Sequence, residues 1–154
     1  VIAPVEIALA QRNDASRIAL YSRDLIEYGL GWGWTPSRVL RAITAKDMNV
    51  AVASEGGRLV GFGIMRYRDE EAHLLLLGVA TDRQRKGVGS ALMAWFERIA
   101  LDAGIGVIRL EARKSNESGL AFYRRLGYQE VMLARGMYAR DEDGVRFAKD
   151  LWAG

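Results

Sequence analysis

The 154-residue sequence has no cysteine, one histidine (His73) and two prolines. Without cysteine there is no disulfide framework, no thiolate metal ligand and no cysteine nucleophile. One histidine argues against a multi-histidine metal site and excludes any triad needing more than His73, so no metal is expected. Long apolar runs are also missing. The most apolar stretch, residues 74–80, is far below the roughly 20 residues of a membrane-crossing helix. No signal-peptide pattern opens the chain, so the expectation is cytoplasmic residence with no membrane partner. The net charge of +3 comes without a long basic block, which gives no ground for a nucleic-acid partner. What remains, 50% hydrophobic and 27% charged residues, is the composition of an ordinary globular protein. A chain of this length buries about 68–70% of its unfolded surface, so a single domain over residues 1–154 is expected to hold its core without staples.

Apolar spacing and turn residues divide the chain. Residues 5–9 form a short strand candidate, and Asn13 is placed to cap a helix over 14–28, where Ile18, Tyr21, Leu25 and Tyr28 recur at helical spacing. Glycines alternating with Trp32 and Trp34 break that helix. Thr35-Pro36 then starts another, with Val39, Leu40 and Ile43 as its apolar stripe. Residues 50–54 and 59–67 read as a hairpin closed by Glu55-Gly56-Gly57-Arg58. A charged turn over 68–72 precedes a central strand at 74–80. A helix over 88–102, a strand at 107–112, a helix over 118–126 and strands at 128–133 and 145–151 complete the chain.

The stretch Gln84-Arg85-Lys86-Gly87-Val88-Gly89-Ser90 carries the most information, because it joins the central strand to the 88–102 helix. Two glycines let the backbone turn tightly and approach an anion, and the free N–H groups of a helix start point at such an anion. Arg85 and Lys86 add positive charge there. The dinucleotide fingerprint does not fit, since Leu92 stands where its third glycine belongs, and no Gly-Lys-Ser/Thr follows as a P-loop requires. Taken alone, the loop can also be read as a solvated turn between strand and helix.

Downstream, the chain runs Leu110-Glu111-Ala112-Arg113-Lys114-Ser115-Asn116 and then Ala121-Phe122-Tyr123-Arg124-Arg125-Leu126-Gly127-Tyr128. Together with the glycine loop, these runs resemble the GNAT superfamily of N-acyltransferases. Gln84 to Gly89 match its Gln/Arg-x-x-Gly-x-Gly/Ala signature. Asn116, Phe122-Tyr123 and Gly127-Tyr128 match its second, and Leu-Glu-x-Arg-x-Ser-Asn looks most like the bacterial ribosomal-protein N-terminal alanine acetyltransferases. The resemblance is strong over residues 74–128. Thr81 departs from it, standing where many relatives place a proline. The resemblance implies an α/β (α+β) GNAT fold, a mixed and mostly antiparallel sheet with helices on both faces, and acetyl-CoA as co-substrate.

It also implies site residues. The backbone of Leu77, Gly78 and Val79 is expected to meet the pantetheine arm like an added strand. Gln84, Arg85, Lys86, Gly87, Val88, Gly89 and Ser90 hold the pyrophosphate. Asn116 meets the pantetheine, caps the next helix, or does both. Acetyl transfer to an amine needs a group to take the amine's proton and one to protonate the departing thiolate. The resemblance assigns these roles to Glu111 and Tyr123. Read without it, Glu111 is a strand residue paired with Arg109 on the same face, and Tyr123 is a helix aromatic packed on the core. His73 reads as a strand-end surface residue rather than a base.

Trp32 and Trp34 either clamp the acceptor or plug the core. An α-amine with pKa near 7.7–8.0 is about a tenth neutral at pH 7, whereas a lysine amine near 10.4 is less than about a thousandth neutral, so a single glutamate suits a protein or peptide N-terminus. The alternatives are a small amine acceptor, such as a polyamine, amino acid or antibiotic, and a non-catalytic acyl-CoA-binding module. The chain is expected to act as a monomer or homodimer.

Overall fold

Gly56 and Gly57 adopt left-handed φ of +57° and +82°. Two such residues make the turn that matches the twist of flanking strands. They join Met48–Glu55 (β2) to Arg58–Tyr67 (β3) as an antiparallel hairpin whose last rung is Glu55 opposite Arg58. The structure, a computed structural model, describes residues 5–134 and 144–153. Around this hairpin it builds a seven-stranded sheet with Glu6–Leu9 (β1), Glu71–Val79 (β4), Val107–Arg113 (β5), Gln129–Ala134 (β6) and Gly144–Asp150 (β7). The strand order is β1-β2-β3-β4-β5-β7-β6, and only the β4–β5 pair is parallel. The mixed, mostly antiparallel sheet is therefore present. The central strand begins at Glu71, inside the stretch expected to be a turn.

Helices cover both faces. Ala15–Leu25 (α1) and Pro36–Thr44 (α2) pack on one face over Val50, Val52, Phe62, Ile64 and Leu76. Proline opens α2 as expected, and the Thr35 hydroxyl accepts from the Arg38 N–H at 3.3 Å. Asn13 does not cap α1. It lies within a short 3-10 turn, Arg12–Asp14, where the Asp14 carboxylate reaches back to accept from the Gln11 N–H at 2.7 Å. The helix is also shorter than expected, ending at Leu25.

On the other face lie Val88–Asp102 (α3) and Glu117–Arg125 (α4), packed over Met65, Leu74, Leu110 and Phe147. α3 sits almost on the β3 backbone. A Cβ at Gly61 would come within 2.8 Å of Val88 Cγ1, and one at Gly63 within 2.6 Å of Phe96 Cε2. Helix and strand pack this closely because both residues lack side chains.

β4 carries the feature that shapes the rest. Its pairing with β3 shifts register between Ile64 and Met65, so that Ile64 opposes Leu76 and Met65 opposes Leu74, leaving Leu75 as the extra residue. Alternation inverts there. Ala72 and Leu74 face α3, while beyond the bulge it is Leu77 and Val79 that pack on that side and Leu76 on the other.

Candidate active site

The bulge coincides with a split in the sheet. β4 and β5 are paired from Glu71 opposite Val107 to Leu74 opposite Leu110 and no further. Beyond that rung β4 continues to Val79 against β3 alone, and β5 continues to Arg113 against β7 alone. Buried strand edges must find hydrogen-bond partners, so residues 75–79 present main-chain donors and acceptors to whatever fills the gap. The gap is a cleft of about 1120 Å³. It runs between the β4 edge, the glycine loop, α4 and the connection between α1 and α2. Leu77, Gly78 and Val79 all line it.

The glycine loop closes one end. A short 3-10 turn, Thr81–Arg83, follows β4 and is tied to the hairpin by Arg83 to Glu55 at 3.0 Å and Arg58 to Asp82 at 2.8 Å. Hydrogen bonds from Arg83 and Arg58 hold the Glu55 and Asp82 carboxyls, respectively, below the usual carboxylate range. The Gln84 amide then donates to the Val79 carbonyl at 3.2 Å, anchoring the loop to the end of β4. Arg85 and Gly87 take left-handed φ of +64° and +87°, and α3 begins at Val88. The first-turn amides of α3 have no partner within the helix, so they are available to an anion.

Gln84, Arg85, Gly87, Gly89 and Ser90 line the cleft, whereas Lys86 does not. Val88 is 2% exposed, packs in the core and, like Lys86, is not among the cleft-lining residues. A Cβ at Gly89 would stand 3.1 Å from Phe122 Cζ, so the missing side chain lets α4 close against the start of α3. The Asn116 carboxamide oxygen accepts from the Gly119 N–H at 3.1 Å, capping α4, while the residue also borders the cleft.

Glu111 and Tyr123 line the same cleft. Tyr123 is held by three aromatic rings, those of Phe122, Tyr128 and Phe147, at centroid distances of 5.1, 6.0 and 5.9 Å. Tyr128 is a poor proton source. It is buried, its hydroxyl donates to Glu97 at 2.9 Å, and burial followed by the Glu97 charge pushes its pKa up.

Glu111 is not paired with Arg109. Arg109 turns instead to Glu71, at 3.0 Å across the parallel rungs. The partner of Glu111 is His73, whose Nε2 lies 2.9 Å from Oε1 and 2.8 Å from Oε2. His73 is therefore no strand-end surface residue. It sits within β4, half-buried, opposite Arg109 and diagonal to Glu111. Sequence reading missed this pair because its members are 38 residues apart and meet only through the parallel register.

The two tryptophans part company. Trp34 is 8% exposed, packs in the α1–α2 core and also borders the cleft, with the Arg38 guanidinium 3.8 Å from its ring centre. Trp32 is not among the cleft-lining residues. It folds back onto α1, its indole N–H donating to the Ala19 carbonyl at 3.2 Å. One residue organises the connection, and nothing in the sequence pattern marked it. Glu27, buried, accepts from the Gly33 and Trp34 N–H groups at 2.7 and 3.0 Å and from the Ser22 hydroxyl at 2.7 Å. A carboxylate with three donors locks a glycine-rich segment that would otherwise be loose. Among the described residues no group of three or more His, Asp or Glu side chains is placed to hold a metal ion.

Comparison with known proteins gives the arrangement a context. The model of the acetyltransferase (GNAT) family matches residues 14–128. The chain is 35% identical over 143 residues to the N-alpha-acetyltransferase RimI of Mycobacterium tuberculosis, covering 88% of this chain and 85% of that protein. It is 32% identical over 85 residues to the ribosomal protein bS18-alanine N-acetyltransferase of Escherichia coli K12, a match spanning 55% of this chain and 57% of that protein. The crystal structure of the ribosomal-protein-S18-alanine N-acetyltransferase from Escherichia coli superposes with a TM-score of 0.85 at 22% identity, covering 98% of this chain and 97% of that one.

Proposed function

The chain belongs to the GNAT family of acetyltransferases, which are acetyl-CoA-dependent N-acetyltransferases, and from that premise we propose that it acetylates the α-amine of a protein N-terminus, with Glu111 and Tyr123 as its proton-transfer pair. The observation that carries the reading is the split between β4 and β5. It opens an unpaired main-chain edge, a glycine loop and both of these side chains onto one cleft.

The fit to acetyl-CoA follows from chemistry. Pantetheine carries amides that pair with a free strand edge, and a pyrophosphate suits the amides at the start of α3 with Arg85 beside them. Acetyl-CoA supplies the activated acetyl thioester. This chain's residues do the rest. The edge at Leu77, Gly78 and Val79 fixes the arm, and the loop with Gln84, Gly87, Gly89 and Ser90 fixes the far end. Glu111 takes the proton the acceptor nitrogen must lose, and the Tyr123 hydroxyl gives one to the sulfur as the C–S bond breaks. Trp34, held by Glu27, forms part of the wall on the acceptor side.

Similarity to an N-alpha-acetyltransferase over most of both chains supports the α-amine as acceptor. So does the larger neutral fraction of an α-amine near pH 7. The test is a mass-spectrometric acceptor screen with acetyl-CoA, offering peptides with free N-termini and small amines in one mixture. Acetylation of peptides alone is expected. Turnover of small amines alone overturns the acceptor, and coenzyme binding without turnover overturns the catalytic reading.

A further inference from the structure

We propose that His73 is a positioning residue for Glu111, holding the carboxylate at the mouth of the split through a hydrogen bond from Nε2–H. The proposal rests on the reading of Glu111 as the group that takes the acceptor's proton.

The geometry is specific. His73 is the last residue on its face of β4 before the strands part, and Glu111 is the first on that face of β5 beyond the last shared rung. Nε2 is almost equidistant from the two carboxylate oxygens, at 2.9 and 2.8 Å, so it lies on the bisector between them. An ionised carboxylate only accepts, so in that state the proton sits on Nε2 and the imidazole is the donor. Gripped on its bisector, the carboxylate cannot swing, and the outer lone pair of each oxygen stays open to a second partner. A carboxylate offers about four such sites, and His73 uses the inner two.

The charged groups around the pair leave this role to His73. Arg109, which opposes His73, is drawn off by Glu71 at 3.0 Å. Arg113, next on the same face of β5, lies over the Tyr28 ring at 4.5 Å. Arg146 opposes Glu111 from β7 and borders a second cavity of about 420 Å³, together with His73 and Arg109. Glu111 lines both that cavity and the main cleft. A permanently charged guanidinium gripping both oxygens would orient the carboxylate and also stabilise its anion. An imidazole N–H orients the carboxylate from a ring that carries no permanent charge, which suits a proton acceptor.

The test compares His73→Phe, His73→Gln, Glu111→Gln and the double variant His73→Phe/Glu111→Gln, using acetyl-CoA and a peptide with a free N-terminal alanine. His73→Phe is expected to lower kcat about 10- to 100-fold, the scale on which partners that orient an active group act. KM for both substrates should stay within about threefold. His73→Gln, which restores a donor at similar reach, should recover most of the loss, and His73→Phe should cost nothing further once Glu111 is Gln. Full kcat in a folded His73→Phe, alongside a large loss in Glu111→Gln, overturns the role of His73 alone. Normal kcat in Glu111→Gln overturns the reading of the base, and this proposal with it. Because His73 is the only histidine, its ring nitrogens give an unambiguous NMR signal in the wild-type protein and in Glu111→Gln. A changed Nε2 signal is expected, and identical spectra overturn the contact.

Discussion

The two halves of β4 belong to one strand but do not share one job. Residues 72–74 are paired on both sides, to β3 and to β5, and the β5 ladder is bridged further by Glu71 and Arg109. Beyond Leu75, residues 76–79 are paired, among the described strands, to β3 alone. The closed half behaves like any interior strand, whereas the open half faces a cleft with no strand beside it among the described residues, and Gln84 reaches its last carbonyl from the loop. A one-residue bulge at Leu75 separates them. The lesson is that a sheet acquires a binding edge in its middle by letting two parallel neighbours diverge, which the short β4–β5 ladder of four rungs permits.

The comparison can be broken from the open half first. Tyr123→Phe removes only a hydroxyl and keeps the ring packed among its three aromatic neighbours, so kcat should fall about 100- to 10,000-fold with the melting temperature unchanged. Steady-state kinetics beside a thermal melt checks this, and an unchanged kcat removes Tyr123 from the reaction. Gly89→Glu places a side chain against Phe122 and a negative charge where phosphates are expected, and should abolish acetyl-CoA binding by calorimetry. Retained affinity in a folded variant would separate the loop from the ligand.

Trp34→Ala acts on the wall that supports the open half. With Trp34 buried among α1–α2 core residues, stability should drop by about 3–5 kcal/mol in urea unfolding. A rise in acceptor KM without that loss would assign Trp34 to substrate instead. The smallest effect belongs to the closed half. The Arg109 hydrogen bond holds the Glu71 carboxyl below its ordinary value, so the pair stabilises the fold above the unfolded carboxylate pKa near 4.3 and loses that contribution as pH falls through the lowered value. Both side chains are substantially exposed, so Arg109→Ala should cost under about 1 kcal/mol at pH 7, and that cost should vanish once the pH has fallen below the lowered Glu71 value. A cost independent of pH would mean that the ion pair contributes nothing.

Local chemistry was legible in the sequence, and long-range register was not. Proline before a helical stripe located α2, two glycines between apolar runs located the hairpin, and the bounds of α3 agree to the residue. Asn116 could be read as a cap because a capping side chain acts on residues next to it. Near misses came where two local solutions competed. Asn13 and Asp14 both suit a helix start, and the longer reach back to Gln11 went to Asp14. Arg109 and Glu111 share a strand face, but neighbours two apart on a strand point in parallel, and each found its partner across the ladder instead. The bulge at Leu75 was invisible because every residue around it is leucine, and a run of one residue type carries no sign of which side chain changes face.

Gly61 and Gly63, where α3 rests on β3, have a consequence for anyone surveying this protein by saturation mutagenesis. A methyl group at either position collides with Val88 or Phe96, and Val88 is the first residue of the helix that follows the glycine loop. Substitutions there would lift the helix and carry the loop with it. Both sites would score as intolerant as a catalytic position while touching no substrate. A tolerance map of this chain therefore marks the foundation of the loop as brightly as the chemistry, and only a separate measurement of folded protein in each variant tells the two apart.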